Sequence, residues 1–122
     1  MEPRISFVTL GVRDLERARE FYTTVLKLPQ KNSSTDIVFF EMGKTWLALY
    51  PRDLLAADAK VSSAGSGFSG FTLAHNVRSV DEVDALLNQV RERGGKIIKP
   101  AHETEWGGYS GYFCDPDEYL VS

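Results

Sequence analysis

The chain is poor in the residues that would declare a function at once. Among its 122 residues there is one cysteine, Cys114, so no intrachain disulfide is possible. There are two histidines, His75 and His102, too few for a histidine-rich metal centre. No apolar run approaches the ~20 residues that a membrane span requires, and "MEPRISF" at the start lacks the apolar stretch of a signal peptide. No basic cluster stands out and the net charge is −3, which argues against nucleic acid and anionic membrane as partners. There is no Gly-rich phosphate loop, because "GSGFSG" is not followed by Lys-Ser/Thr. No serine has the setting of a nucleophile elbow. A cytoplasmic location is the expectation from these absences.

What remains is an ordinary globular composition, 43% hydrophobic and 25% charged. A chain of this length buries only ~65% of its unfolded surface, so pairing with a second copy is an expected source of stability. "ISFVTLGV" alternates and is β-branched, which predicts a strand with Val8, Leu10 and Val12 on one face and Phe7 and Thr9 on the other. Asp14 then opens a helix as N-cap. Leu15, Ala18, Phe21, Tyr22, Val25 and Leu26 form its apolar stripe. A short strand is expected near Leu28 to Asn32. "DIVFFEMG" and "KTWLALYP" read as strands on either side of Gly43-Lys44, and Arg52 to Ala59 as one or two helical turns.

"VSSAGSGFSG", Val61 to Gly70, is the clearest linker. The second half then repeats the first. "FTLAHNV", Phe71 to Val77, predicts a strand, and Ser79 with Glu82 a capping box. Val80, Val83, Leu86, Leu87 and Val90 form a stripe that ends at Gly94-Gly95. A shift of 65 places Val12 on Val77, Asp14 on Ser79, and the first stripe on the second. "GKIIKP" and "YSGYF" add strands, "PAHETEW" reads as a polar loop, and the tail after Asp-Pro-Asp begins another strand. The organisation is therefore a first module at 1–60, a linker at 61–70 and a second module at 71–122. Each runs strand, helix, then about three strands. This predicts an α+β fold of two βαβββ modules forming a curved, mostly antiparallel sheet whose concave face holds a ligand.

These residues resemble the vicinal oxygen chelate superfamily, which includes glyoxalases, bleomycin-resistance proteins and extradiol dioxygenases. "VTLGVRDLERAREFYTTVLKLP" is similar to its opening strand and helix, with Asp-Leu-Glu-x-x-x-x-Phe-Tyr at Asp14 to Tyr22. "GGYSGYFCDPDEYL" is similar to its closing hairpin, although Glu118 stands where a turn glycine is usual. The resemblance implies dimers and, in most enzymes of the family, a divalent metal that acts as a Lewis acid. Carried over singly, its ligand places fall on Phe7, on Thr72, on Ala48 or Leu49, and on Ser122. None offers the imidazole or carboxylate that such a metal takes. A glutamate at the last place would still leave three without donors. The expectation is that the usual metal is not bound.

His75 alternates with Phe71 and Leu73, toward the helix and away from the concave face. His102 falls in the polar loop. The predicted ligand-binding residues are Phe7, Thr9, Trp46, Tyr50, Thr72, Trp106, Tyr109 and Tyr112. Gly107 and Gly108 would let their loop close over the ligand, and Glu103 and Glu105 would draw a cation to the mouth. The function expected is metal-free binding of a small aromatic or cationic molecule by a homodimer. The alternatives are a metal-dependent lyase or dioxygenase, and a non-catalytic structural partner. Cys114 reads as a buried, inert thiol.

Overall fold

A computed structural model describes residues 1–122 and places them in two compact units, Met1–Gly65 and Ser66–Ser122. The boundary falls inside the Ser/Gly-rich stretch. No helix is long and apolar enough to cross a membrane.

The first unit runs β1 (Phe7–Val12), α1 (Leu15–Glu20), β2 (Gln30–Lys31), β3 (Val38–Met42), β4 (Thr45–Pro51) and α2 (Arg52–Ala59). Its four strands lie in the order β1-β4-β3-β2. β1 and β4 are parallel, and the other two pairings are antiparallel. Asp14 caps α1, its carboxylate accepting the Arg17 N–H at 3.1 Å. The apolar stripe does not stay α-helical. Phe21–Val25 form a π-helical turn in which Leu26 N–H reaches the Phe21 carbonyl at 3.1 Å. Lys27, at φ 58°, ends it in the left-handed region, and Leu28 N–H donates to the Tyr22 carbonyl.

Strand alternation builds the first core. Leu10, Leu49 and Val38 sit in one cross-strand row, with Val8, Leu47 and Phe40 in the next. Leu49, Val38 and Phe40 are fully buried, as is Ala18 from α1. Burying each large side chain of this kind is worth ~1.5–3 kcal/mol. Tyr22 packs on Phe40 with ring centroids 5.9 Å apart, which fixes this as the helix-covered face. The other face carries Phe7, Thr9, Phe39, Glu41, Trp46, Ala48 and Tyr50 by register. α2 meets that side at Gly11, where a Cβ would lie 3.2 Å from the Arg52 Cα and 3.3 Å from the Leu55 Cδ2.

The second unit runs β5 (Thr72–Leu73), α3 (Val80–Glu92), β6 (Lys96–Glu103), β7 (Tyr109–Cys114) and β8 (Leu120–Val121). Its strand order, β5-β8-β7-β6, is the pattern of the first unit again. β5 and β8 are parallel, while β8–β7 and β7–β6 are antiparallel. The α+β reading with two βαβββ modules therefore holds, as two four-stranded sheets that each contain one parallel pair.

Three local expectations change. The strand expected over Phe71–Val77 is paired only at Thr72–Leu73, because β8 pairs with it over just two residues. The loop expected at His102 and Glu103 belongs to β6, which stays paired to Ser110 and Tyr109 through two register shifts. Polarity there reflects an exposed strand end. At Ser79 the hydroxyl accepts the Glu82 N–H as a cap should, but Glu82 takes the N–H of Arg78, one residue before the box position.

Candidate functional site

The structure distributes the eight predicted site residues over three places. Phe7, Thr9, Trp46 and Tyr50 share the face of the first sheet opposite α1. Phe39 joins them from β3. Phe7, Phe39 and Trp46 form a triangle of rings, with centroids 5.9 Å (Phe7–Phe39), 6.1 Å (Phe7–Trp46) and 6.0 Å (Phe39–Trp46) apart. The rings meet edge to face or tilted, at 55–70°. Such contacts add ~0.5–1.5 kcal/mol per pair beyond burial. Phe7 nevertheless stays 52% exposed, so the cluster is a surface feature of its unit's fold. Glu41 sits directly across from Trp46 in the β3–β4 register and places a carboxylate beside the rings. Sequence reasoning missed Phe39 and Glu41. Alternation in "DIVFFEMG" offers them as one face, but choosing it over the Val38–Phe40 face requires the pairing with β4.

Thr72 and Tyr112 stand on the side of the second sheet away from α3. Thr72 is in register with Leu120, and Leu120 with Cys114. Tyr109 lies on the opposite side. It shares parity with Gly111 and Phe113, and a Cβ on Gly111 would lie 2.7 Å from Leu87 Cδ1 of α3. The Tyr109 hydroxyl donates to Asp84 of α3 at 2.7 Å. That bond to a carboxylate, helped by partial burial and by the charges of Asp84 and Glu103, pushes the phenol pKa up from 10.0. Tyr109 and Tyr112 therefore project from opposite faces of β7, although both line the cavity described below.

Trp106 is in the tight β6–β7 turn and is 79% exposed. Thr104 accepts twice from Gly108 and Gly107, and its own N–H donates to the Gly108 carbonyl. The indole ring lies over Gly108, where a Cβ would be 2.3 Å from it. The Gly107-Gly108 pair thus shapes the turn and seats Trp106.

Trp106 and Tyr109 border a cavity of 420 Å³ between the second sheet and α3. Its floor is Val83, Leu86 and Leu87, and His75, Val77 and Ser122 close one side. His75 faces the helix side, as its alternation predicts. His102 sits on β6, its Nδ1 3.2 Å from the Pro100 carbonyl oxygen. Cys114 is 5% exposed, and burial, with Asp115 and Glu118 nearby, pushes its thiol pKa up against the opposing pull of Lys96.

No three His, Cys, Asp or Glu side chains group closely enough to hold a metal ion. On the face of the first sheet opposite α1, the expected ligand places are filled by the Phe7 ring and the Ala48 methyl, and the neighbouring Leu49 is fully buried in the core.

Comparisons with known proteins converge. The model of the Glyoxalase/Bleomycin resistance protein/Dioxygenase superfamily matches residues 4–122. Metallothiol transferase FosB of Shouchella clausii (strain KSM-K16) is 30% identical over 122 residues, covering 96% of this chain and 76% of that protein. The crystal structure of a glyoxalase-related enzyme from Fulvimarina pelagi superposes with a TM-score of 0.90 at 31% identity, covering 98% of this chain and 85% of the other. A glyoxalase/bleomycin resistance protein/dioxygenase from Nocardioides gives 0.82 at 28% identity, covering 99% and 82%.

Proposed function

Because this chain belongs to the Glyoxalase/Bleomycin resistance protein/Dioxygenase superfamily, we propose that it binds a small, flat aromatic or cationic molecule without a metal, as a cytoplasmic homodimer. The observation that carries the reading is the ring triangle of Phe7, Phe39 and Trp46 on the sheet face opposite α1, with Glu41 alongside. Rings already held by one another offer faces and edges at little ordering cost. A cation over such a ring gains ~0.5–2 kcal/mol, and a carboxylate at the rim adds attraction that weakens with salt. Thr9 and Tyr50 supply hydroxyls on the same face, and Thr72, Trp106, Tyr109 and Tyr112 belong to the second unit's share of the proposal.

Benzyltrimethylammonium and its neutral analogue, benzyl alcohol, are suitable probes. Thermal-shift and tryptophan-quenching titrations of the wild type should show saturable binding, with stabilisation of ~2.7 kcal/mol at a hundred times Kd. Trp46→Ala and Phe7→Ala should abolish it, and Glu41→Gln should weaken the cation alone. Absence of binding across a panel of aromatic cations would sink the reading in favour of a structural partner. Purified protein that retains one equivalent of chelator-removable divalent metal would overturn the metal-free part. That second outcome would favour the enzyme alternative, for which the 30% identity to a metallothiol transferase is the supporting observation.

A further inference from the structure

The ring triangle is flanked by two charges of opposite sign. In the β3–β4 register Glu41 lies directly across from Trp46. In the β2–β3 register Lys31 lies directly across from Phe39. Residues directly opposite one another in an antiparallel pair share a face, so Lys31 stands on the same side of the sheet as the rings. Phe39 is neighbour to both charges, along β3 to Glu41 and across the ladder to Lys31. Glu41 and Lys31 are diagonal neighbours, with their backbones ~7–8 Å apart. Ser33 fixes the lysine's segment against β3. Its hydroxyl donates to the Lys31 carbonyl at 2.6 Å and accepts the Phe39 N–H at 3.3 Å. Lys31 and Glu41 are both exposed. Neither enters an ion pair, since those of the molecule are Arg4–Glu2 and Arg19–Glu16. The two charges therefore stay available to a third body beside the rings.

We infer that this face selects an amphoteric ligand, a flat aromatic molecule with a cationic group at one end of its ring and a carboxylate at the other. The inference rests on the ligand reading for the first sheet and narrows it. A molecule with a cation alone is drawn by Glu41 and the rings but repelled by Lys31. A molecule with an anion alone meets the converse. Only a molecule with both charges, set apart by a ring, meets each protein charge with its opposite while its own ring lies against Phe39. Each such exposed charge contact is worth up to about fivefold in affinity, and it weakens as salt screens it. Lys31 is thus a specificity-determining residue, and its place is set by the β2–β3 register and the Ser33 clip. The rings supply most of the affinity and the two charges supply the choice and the orientation of the ligand.

The test compares three single-ring ligands, 4-(trimethylammoniomethyl)benzoate, benzyltrimethylammonium and benzoate, titrated against the full chain by tryptophan quenching. In low salt the amphoteric compound should bind about three- to fivefold tighter than benzyltrimethylammonium, and ~0.5 M salt should erase most of that advantage. Lys31→Gln should remove the advantage while leaving benzyltrimethylammonium bound at least as well. Glu41→Gln should weaken the amphoteric compound and strengthen benzoate. Lys44→Gln, in the β3–β4 turn and outside the paired rows, should change none of the three. These side chains are exposed, so the melting temperature should stay the same in every variant. Equal binding of the amphoteric compound and benzyltrimethylammonium, or an advantage that survives Lys31→Gln, would overturn this inference and leave the aromatic-cation reading standing. No binding by any of the three would overturn the inference together with the reading on which it rests.

Discussion

Replacing Glu118 with glycine should stabilise the protein, and the amount can be worked from the turn. Glu118 sits at φ 67°, in the left-handed region. Its N–H donates to the Asp115 carbonyl at 2.9 Å. The Asp115 carboxylate accepts the N–H groups of Asp117 and Tyr119, both at 2.9 Å, and Asp115 N–H donates to the Tyr119 carbonyl. All of these bonds use the backbone or Asp115, so Glu118→Gly keeps them. The mutation removes the clash of a Cβ in this region, ~1–2 kcal/mol. Against this, glycine has more freedom to lose on folding, ~0.5–1 kcal/mol. The net gain is ~0.5–1 kcal/mol, or roughly 2–5 °C in Tm for a domain of this size. Urea unfolding followed by far-UV circular dichroism measures it as a rise in midpoint at constant slope. Glu118→Ala is the control, because it removes the charge beside Asp115 and Asp117 but keeps the Cβ. If alanine stabilises as much as glycine, charge repulsion and not backbone geometry is responsible, and the argument fails. A glycine variant less stable than wild type refutes it outright.

Gly111→Ala should cost ~1–3 kcal/mol by overpacking, because its Cβ would meet Leu87 Cδ1 at 2.7 Å and the Lys99 carbonyl oxygen at 2.9 Å; the same urea midpoint should fall. Asp14→Ala should cost ~1 kcal/mol through the lost cap to Arg17 N–H, and Asp14→Asn much less, which differential thermal melts can separate. Tyr109 should ionise above its ordinary 10.0, by absorbance at 295 nm, and Asp84→Asn should bring it back down. Since the folded value is raised, the stability linked to this group is fully present below pH 10 and is lost as pH rises through the folded pKa. Cys114, buried with its pKa raised, should react slowly with a thiol reagent in buffer and fast in 6 M urea.

Much of the fold is legible because its determinants are local. Asp14 and Ser79 cap helices with their own side chains, and Gly43, at φ 69°, makes the β3–β4 turn that its dipeptide advertises. The repeat between Val12 and Val77 is matched by two sheets of identical strand order. What was not legible depends on pairing. Nothing local distinguishes Phe39 from Phe40, yet one is fully buried against Tyr22 and the other belongs to the surface ring cluster. The strand over Phe71–Val77 looks continuous by alternation but is regularly paired at Thr72 and Leu73, with one further bond from the His75 N–H to the Ser122 carbonyl. Tyr109 and Tyr112 are an odd number of residues apart in a strand, so period-2 alternation already places them on opposite faces.

The same alternation separates the residues that build the first unit's core from those on its other sheet face. In β1, Val8 and Leu10 join the core rows with Leu47 and Leu49, whereas Phe7 and Thr9 face away from them. In β4, Leu47 and Leu49 are buried toward α1 while Trp46 and Tyr50 point to the other side. A substitution at an even-spaced position on the outer face leaves every inner contact in place, so selection on stability and selection on chemistry act on interleaved but separate residues. A phenyl ring at residue 7 therefore costs the core nothing, and it gains ring contacts with Phe39 and Trp46. Membership of the superfamily rests on a match that spans residues 4–122. The chemistry has to be argued from the outer set, and in this chain the outer set is aromatic with one flanking carboxylate at Glu41.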